Sequence, residues 1–294
     1  MPEILDADIK IGYLKILDHL MMGLGCVSGH NHPFSMETWP RGIEAVPFNS
    51  WTGMENAIYD GSIHGGFLPL PQAMEMFISG FSIKLILFDS RPGTMVVSNK
   101  ASGTVRPLDF KGKTVLISSL LSVYHLLVYR FMGLAGLKTG IENRGPADVF
   151  IEVAPPFMIP EMLGCDLDGD IGGCMVEEPF ASRIIRGGYG NKMCLSSMLW
   201  PDHPHTALIM GDDVIKNNVS LIKELVAWLV VSSRIMFKNS PGLKRGRQKE
   251  ISLRPDMKIL GTINDLMVTE MGMLETRIPM DEFVDLQFAL DAGA

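Results

Sequence analysis

The sequence predicts an α/β chain of two lobes, each a mainly parallel sheet with flanking helices, joined by a chain that crosses twice. Three observations predict it. Short β-branched runs alternate with helix-length apolar stretches almost throughout, which is the order that parallel strands with helical crossovers require. A strand, a polar turn and an apolar helix occur together at 9–24, and the same order returns at 114–134. Breaks in the alternation fall at 99–109, a connection holding Gly, Ser and Pro, and at 196–206, which contains WPDHPHT. The middle of the chain (99–199) is therefore expected to form one lobe, and its ends (1–98 with 200–294) the other.

The corner at 111–136 organises the rest. Gly112 and Lys113 turn into the apolar run Thr114, Val115, Leu116, Ile117, which has strand length and composition. Ser118, Ser119 and Ser122 follow, and an apolar helix then runs to Gly133 and Gly136. Hydroxyls and unpaired backbone N–H groups collect there beside the positive end of the helix dipole. Such a corner binds anions. For any one serine the alternative is a helix cap and nothing more.

Taken in order, residues 9–14 alternate as a strand, and Asp18 is a candidate N-cap for the segment 20–24. Residues 28–41, with His30, His32 and Trp39, have no period and read as a loop. A strand at 44–48 precedes a helix at 51–60, for which Ser50 is the candidate cap and Glu55 an early acid. A strand at 63–68 runs into Pro69 and Pro71, and Gln72 opens a helix to Ser79. Strands follow at 81–88 and 94–98, separated by the turn Asp89-Ser90-Arg91-Pro92-Gly93. Beyond the serine corner come strands at 148–153, 171–176, 192–195 and 207–210 and a long helical region at 214–237. The tail has helical segments at 259–270 and 281–290.

Composition narrows the function classes. In 294 residues the 26 basic side chains are outnumbered by 33 acidic ones, and the net charge of −7 argues against a nucleic-acid surface. The basic run 244–249 lies between Pro241 and Pro255 and reads as a solvated loop. No uncharged apolar run is long enough to span a membrane. The acidic N-terminus has no basic n-region or apolar h-region, so the expectation is either a cytoplasmic chain or one whose export signal is outside this sequence. Cys26, Cys165, Cys174 and Cys194 lack C-x-x-C spacing, so no zinc site is expected, and a Cys165–Cys174 bridge stays open. The acids Asp166, Asp168 and Asp170 begin like a calcium loop, but Ile171 stands where that loop needs glycine. No metal and no cofactor is expected.

In open α/β sheets ligands sit outside the carboxyl ends of the strands. That rule collects Asp18, His19, Leu70, Gln72, Ser90, Arg91, Ser118, Ser119, Ser122, Phe157 and Glu178 as candidate ligand-binding residues. Trp51 is added as a ring to pack on a ligand. No catalytic residue is expected, because no nucleophile–base pair, paired carboxylates or phosphate loop can be assembled.

Several stretches together resemble the periplasmic substrate-binding proteins of ABC importers in the nitrate/sulfonate/taurine family. They are IKIGYLKILDHL, the spacing Trp51…Ala57…Gly61, DFKGKTVLIS, MGLAGL, GDIGGCMVEEPFAS and Leu199-Trp200-Pro201. The resemblance runs over about 8–236, with His64 where that family usually has an acid. It implies a type II periplasmic-binding-protein fold that closes on a small, anionic, sulfonate-, nitrate- or taurine-like solute in a cleft between lobes. It also implies a monomer that works with a permease and an ATPase, in the periplasm or at the cell surface. On that reading the three serines hold the anionic head, Asp18 and His19 line the opposite lobe, and Glu178 faces the cleft. The competing classes are a cytoplasmic enzyme of the same fold, for pyrimidine-precursor or menaquinone-type synthesis, and a ligand sensor.

Overall fold

In a computed structural model, residues 9–17, 19–27, 39–89, 94–141, 145–239 and 253–294 are described. Asp18, Ser90, Arg91, the greater part of the 28–41 loop and the basic run 244–249 lie outside these residues. The chain divides into two compact units. One holds Met1–Lys15, His19–Ser90 and Thr206–Ala294, and the other holds Ile16–Asp18 and Arg91–His205.

The first unit is built on a sheet of β1 (Ile9–Leu14), β2 (Ile43–Phe48), β3 (Gly65–Pro69), β4 (Ile83–Phe88) and a late strand, β11 (Thr206–Gly211), in the order β2-β1-β3-β11-β4. β1 runs parallel to β2 and β3, whereas β11 is antiparallel to both its neighbours. Gly65 allows the close approach of β3 and β11, since a Cβ there would stand 2.3 Å from the Ile209 carbonyl oxygen. β1, β3 and β11 lie inside the sheet and are apolar nearly throughout, as strands covered on both faces must be. Helices α1 (Leu20–Val27), α2 (Trp51–Tyr59) and α3 (Leu70–Ile78) follow β1, β2 and β3. Ile11, Met22, Phe67, Leu208, Ile222 and Trp228 belong to one core cluster.

The helical region at 214–237 comprises two helices. Asn218, at φ −135° and ψ 32°, ends α8 (Asp212–Asn217), and α9 (Val219–Asn239) begins after it. The tail folds back onto β4. The Leu253 carbonyl accepts from the Phe88 N–H (2.7 Å) and the Leu85 carbonyl from the Asp285 N–H (2.9 Å), which covers part of an edge that would otherwise be open to pairing.

The second unit's sheet has the order β10-β5-β9-β6-β8-β7. Its strands are β5 (Met95–Asn99), β6 (Thr114–Ile117), β7 (Thr139–Gly140), β8 (Val149–Val153), β9 (Ile171–Val176) and β10 (Gly190–Leu195). β6, β7, β8 and β9 run parallel, and β5 is antiparallel to β9 and β10. β5 was expected as the last strand of the first lobe. It belongs to this sheet because it pairs with β9 over Met95–Val176 to Ser98–Gly173. Helices α4 (Val123–Gly133), α5 (Ile159–Cys165), α6 (Phe180–Arg186) and α7 (Ser196–Leu199) complete the unit; α7 occupies the start of the expected crossover. The acidic loop is structural. Asp166 accepts from the Asn99 amide (2.6 Å) and from the Asp170 and Ile171 N–H groups (3.2 and 3.0 Å). No group of side chains able to hold a metal ion occurs among the described residues. Cys165 and Cys174 are unbridged, the first exposed and the second buried.

The remaining helices, α9's successors in the first unit, are α10 (Met257–Asp265), α11 (Met280–Phe283) and α12 (Gln287–Asp291). No helix among the described residues is long and apolar enough to cross a membrane.

Candidate functional site

In the first unit the carboxyl ends of β1, β3 and β4 and the start of the antiparallel β11 fall on one edge of the sheet, as the register Thr206–Pro69 and Ala207–Phe88 requires. A buried polar chain crosses that edge. The Leu14 N–H donates to His19 Nδ1 at 2.9 Å. Nδ1 is therefore the bare nitrogen, and the ring's proton is on Nε2. Nε2 faces Thr206 Oγ1 at 3.2 Å, and the Thr206 hydroxyl donates to Asp89 Oδ2 at 2.9 Å. His19 is 2% exposed and packs edge-on to Trp51, with ring centroids 5.7 Å apart, and against Phe67 at 5.1 Å. The trio resembles a nucleophile triad in composition only. Here the hydroxyl serves the carboxylate, and the imidazole's second nitrogen is held by the backbone, so nothing prepares Thr206 to attack.

Of the sequence-predicted residues, Trp51, Leu70 and Gln72 are described in this unit with His19. Trp51 opens α2, whose cap is Ser50, the Ser50 Oγ accepting from the Gly53 N–H at 3.1 Å. Leu70 is fully buried at the start of α3, where its side chain is part of the core. Gln72 donates through Nε2 to Glu55 Oε2 at 2.7 Å, while its Oε1 is buried with no partner among the described residues. Burial pushes the Glu55 carboxyl above its ordinary value; the Gln72 hydrogen bond pulls it down, and the Glu75 charge adds to the rise. His64 is a structural residue at the opposite end of the strands. Its Nδ1 takes the Lys10 N–H at 2.9 Å, and burial, then the Lys10 charge, hold its pKa low.

The second unit repeats the corner at β6. Ser122 is the N-cap of α4: its Oγ accepts from the His125 N–H (3.3 Å) and donates to the Ser119 carbonyl (2.6 Å). Ser119 Oγ accepts from the Leu121 N–H at 3.1 Å. Ser118 Oγ, in a residue 6% exposed, is left with no partner among the described residues. His125 gives its Nδ1–H to the Leu120 carbonyl at 2.9 Å, and burial depresses its pKa. Phe157, past the end of β8, is 45% exposed.

Glu178 is engaged at its own helix start. Its two carboxylate oxygens take the Ser182 N–H (3.0 Å) and the Ser182 hydroxyl (2.8 Å), so it holds the start of α6. A short helix with exposed N–H groups has first claim on a neighbouring carboxylate. The fully buried acid is Glu177, whose carbonyl accepts from the Phe180 and Ala181 N–H groups.

Sequence reasoning also missed a second buried chain. Tyr124 OH lies 2.7 Å from Thr94 Oγ1 and 2.9 Å from His205 Nδ1, and the Tyr124 and His205 rings stack at 3.9 Å with 14° between their planes. Burial lowers the His205 pKa to about 3. Tyr124 was hidden in an apolar helical stretch, and His205 and Thr206 in a segment expected as a connection. A groove of about 650 Å³ lies between α5 and α6, lined by Arg183, Arg186 and Tyr189 among others.

The family model described as the NMT1-like family matches residues 5–241. Among solved structures, a ligand-binding component of an ABC-type import system from Staphylococcus aureus, with zinc bound, is 20% identical. It aligns over 98% of this chain and 99% of its own, with a TM-score of 0.76. The alkanesulfonate-binding protein SsuA from Xanthomonas axonopodis pv. citri, bound to MOPS, is 14% identical over 95% of this chain and 98% of its own, with a TM-score of 0.74. The periplasmic nitrate-binding protein NrtA from Synechocystis PCC 6803 is 16% identical over 95% and 69%, with a TM-score of 0.65. These likenesses establish the periplasmic-binding-protein fold. No curated protein matches the chain.

Proposed function

Because this chain belongs to the NMT1-like family, we propose that it is the solute-binding component of an ABC importer, a protein that captures a small polar solute and hands it to a permease. A similar fold is the ligand-binding component of an ABC-type import system in the Staphylococcus aureus protein, and similar folds bind alkanesulfonate in SsuA and nitrate in NrtA. The observation that carries the reading is a pair of leftover polar atoms. Gln72 Oε1 and Ser118 Oγ are buried without a hydrogen-bond partner among the described residues. Buried polar groups are nearly always paired, so an unpaired one calls for a partner from outside the chain. Each lies where a strand gives way to a helix, one after β3 and the other after β6. These are the positions where open α/β sheets bind ligands.

His19, Trp51 and Gln72 form the first unit's corner. In the second unit Ser118, Ser119 and the backbone N–H groups of the first turn of α4 receive an acidic head of the sulfonate, nitrate or taurine kind. The protein works outside the cytoplasmic membrane, as a monomer, with a permease and an ATPase as partners.

A thermal-shift panel of nitrate, alkanesulfonates, taurine and aromatic acids tests this. A ligand at a hundred times its Kd adds about 2.7 kcal/mol of stability, on the order of 5–10 °C in Tm for a chain of this size. Ser118→Ala is expected to shrink the shift of the best binder. A panel that leaves Tm flat refutes the reading, and a full shift in Ser118→Ala removes the serine corner from it.

A further inference from the structure

Gln72 is the third residue of α3, whose first residue is Leu70 and whose N-cap is Pro69. A glutamine at that position ordinarily reaches back to accept from the N-cap backbone N–H. Proline has no N–H to give. The usual partner of the Gln72 carbonyl therefore does not exist in this sequence, and α3 has no side-chain cap. The amide cannot turn round to find another. Its nitrogen is held 2.7 Å from Glu55 Oε2, and a carboxylate only accepts, so the oxygen must face the other way. That oxygen is a pure acceptor. It sits in a residue 3% exposed and meets no donor among the described residues.

Resting on the function proposed above, we propose that Gln72 is a specificity-determining residue, whose Oε1 accepts a hydrogen bond from an N–H or O–H group of the solute. The solute class is then an amine-, amide- or hydroxyl-bearing molecule, and a bare oxyanion such as nitrate is a poor fit at this corner. The charges agree. Glu55 stands beside the amide, with Glu75 close enough to act on it, so the corner is rich in acceptors and negative potential. A donor is attracted there, and a second acceptor is repelled. Sites built around a polar group discriminate strongly against analogues that leave it unpaired.

The test uses matched probes: taurine against ethanesulfonate, which lacks only the amino group, and 4-hydroxybenzoate against benzoate. Affinities are measured by calorimetry on the wild type and on Gln72→Met, a side chain of similar length with no strong acceptor. The donor-bearing member of a binding pair is expected to bind at least about tenfold tighter to the wild type. In Gln72→Met that preference is expected to fall to within about threefold, through weaker binding of the donor-bearing member. The ligand-free melting temperature reports folding, and it should hold or rise in the variant, which no longer buries an unpaired oxygen. A pair that binds the wild type equally overturns the inference and leaves the proposed function standing, and so does a preference that persists in Gln72→Met. Failure of all four probes to bind overturns the inference, and it overturns the proposed function as well when nitrate and the remaining alkanesulfonates also leave Tm flat.

Discussion

His205 should make this protein acid-sensitive in a way that one substitution removes. Its imidazole is buried, stacked on Tyr124, and held neutral with a pKa of about 3 against an ordinary 6.5. The folded pKa lies below the unfolded one, so between about 3 and 6.5 the unfolded chain binds a proton that the folded chain refuses. Stability contributed by this group is whole above pH 6.5 and is lost progressively as the pH falls toward 3. At pH 4 the unfolded histidine has titrated through 2.5 pH units, which at 1.36 kcal/mol per unit is a loss of about 3 kcal/mol. His205→Phe keeps a ring on Tyr124 but gives up the 2.9 Å hydrogen bond to its hydroxyl, at a cost of about 1 kcal/mol at pH 7. The penalty in the wild type grows past that cost at about pH 5.8, where the two stability curves should cross. Urea unfolding at pH 7, 6, 5 and 4 on both proteins reads this directly, because every other titrating group is common to them. Parallel loss of stability in the two proteins from pH 7 to pH 4 would refute the reasoning.

Two further outcomes follow from single contacts. Ser122→Ala removes the cap of α4, both the acceptor for the His125 N–H and the donor to the Ser119 carbonyl, and should cost about 1 kcal/mol in denaturant unfolding; an unmoved midpoint would show that the cap contributes nothing. Among Cys165, Cys174 and Cys194, a maleimide should modify exposed Cys165 first, and Cys174 only on unfolding, since burial and then the Glu177 charge push its thiol well up. Mass spectrometry of peptides after timed labelling checks the order, and early modification of Cys174 would contradict the buried placement.

The elements that announced themselves in the sequence are those whose local chemistry and tertiary environment agree. Thr114–Ile117 and Ile171–Val176 are short apolar runs closed by polar turns, and as inner strands of a sheet they need no other signal. Ser50 and Ser122 are caps because serine before an apolar period has one common use. Pairing across the sheet is different, since it depends on residues far apart in the chain. Nothing in Met95–Asn99 says that it will lie antiparallel between Ile171–Val176 and Gly190–Leu195, so its placement could not be read locally. The break at Asn218 was equally silent, because the apolar period continues on both sides of it.

The candidate site shows the same division, and it says why the serine corner was legible and the buried chains were not. A helix start gathers its donors within a few consecutive residues, so Ser118, Ser119 and Ser122 declare the corner together. The chain His19–Thr206–Asp89 joins residues 187 and 117 positions apart at each contact, and Thr94–Tyr124–His205 in the other unit joins residues 30 and 81 apart. Each member alone looks like an ordinary turn, helix or connection residue. Gln72 falls between the cases. Its position after Pro69 and Pro71 was legible, but the helix begins two residues earlier than expected, at Leu70, which makes Pro69 the N-cap. What required the structure was the Glu55 carboxylate, which fixes the amide nitrogen and so decides that the leftover atom is an acceptor. With the amide reversed the corner would call for an anion; with the amide as it stands it calls for a donor.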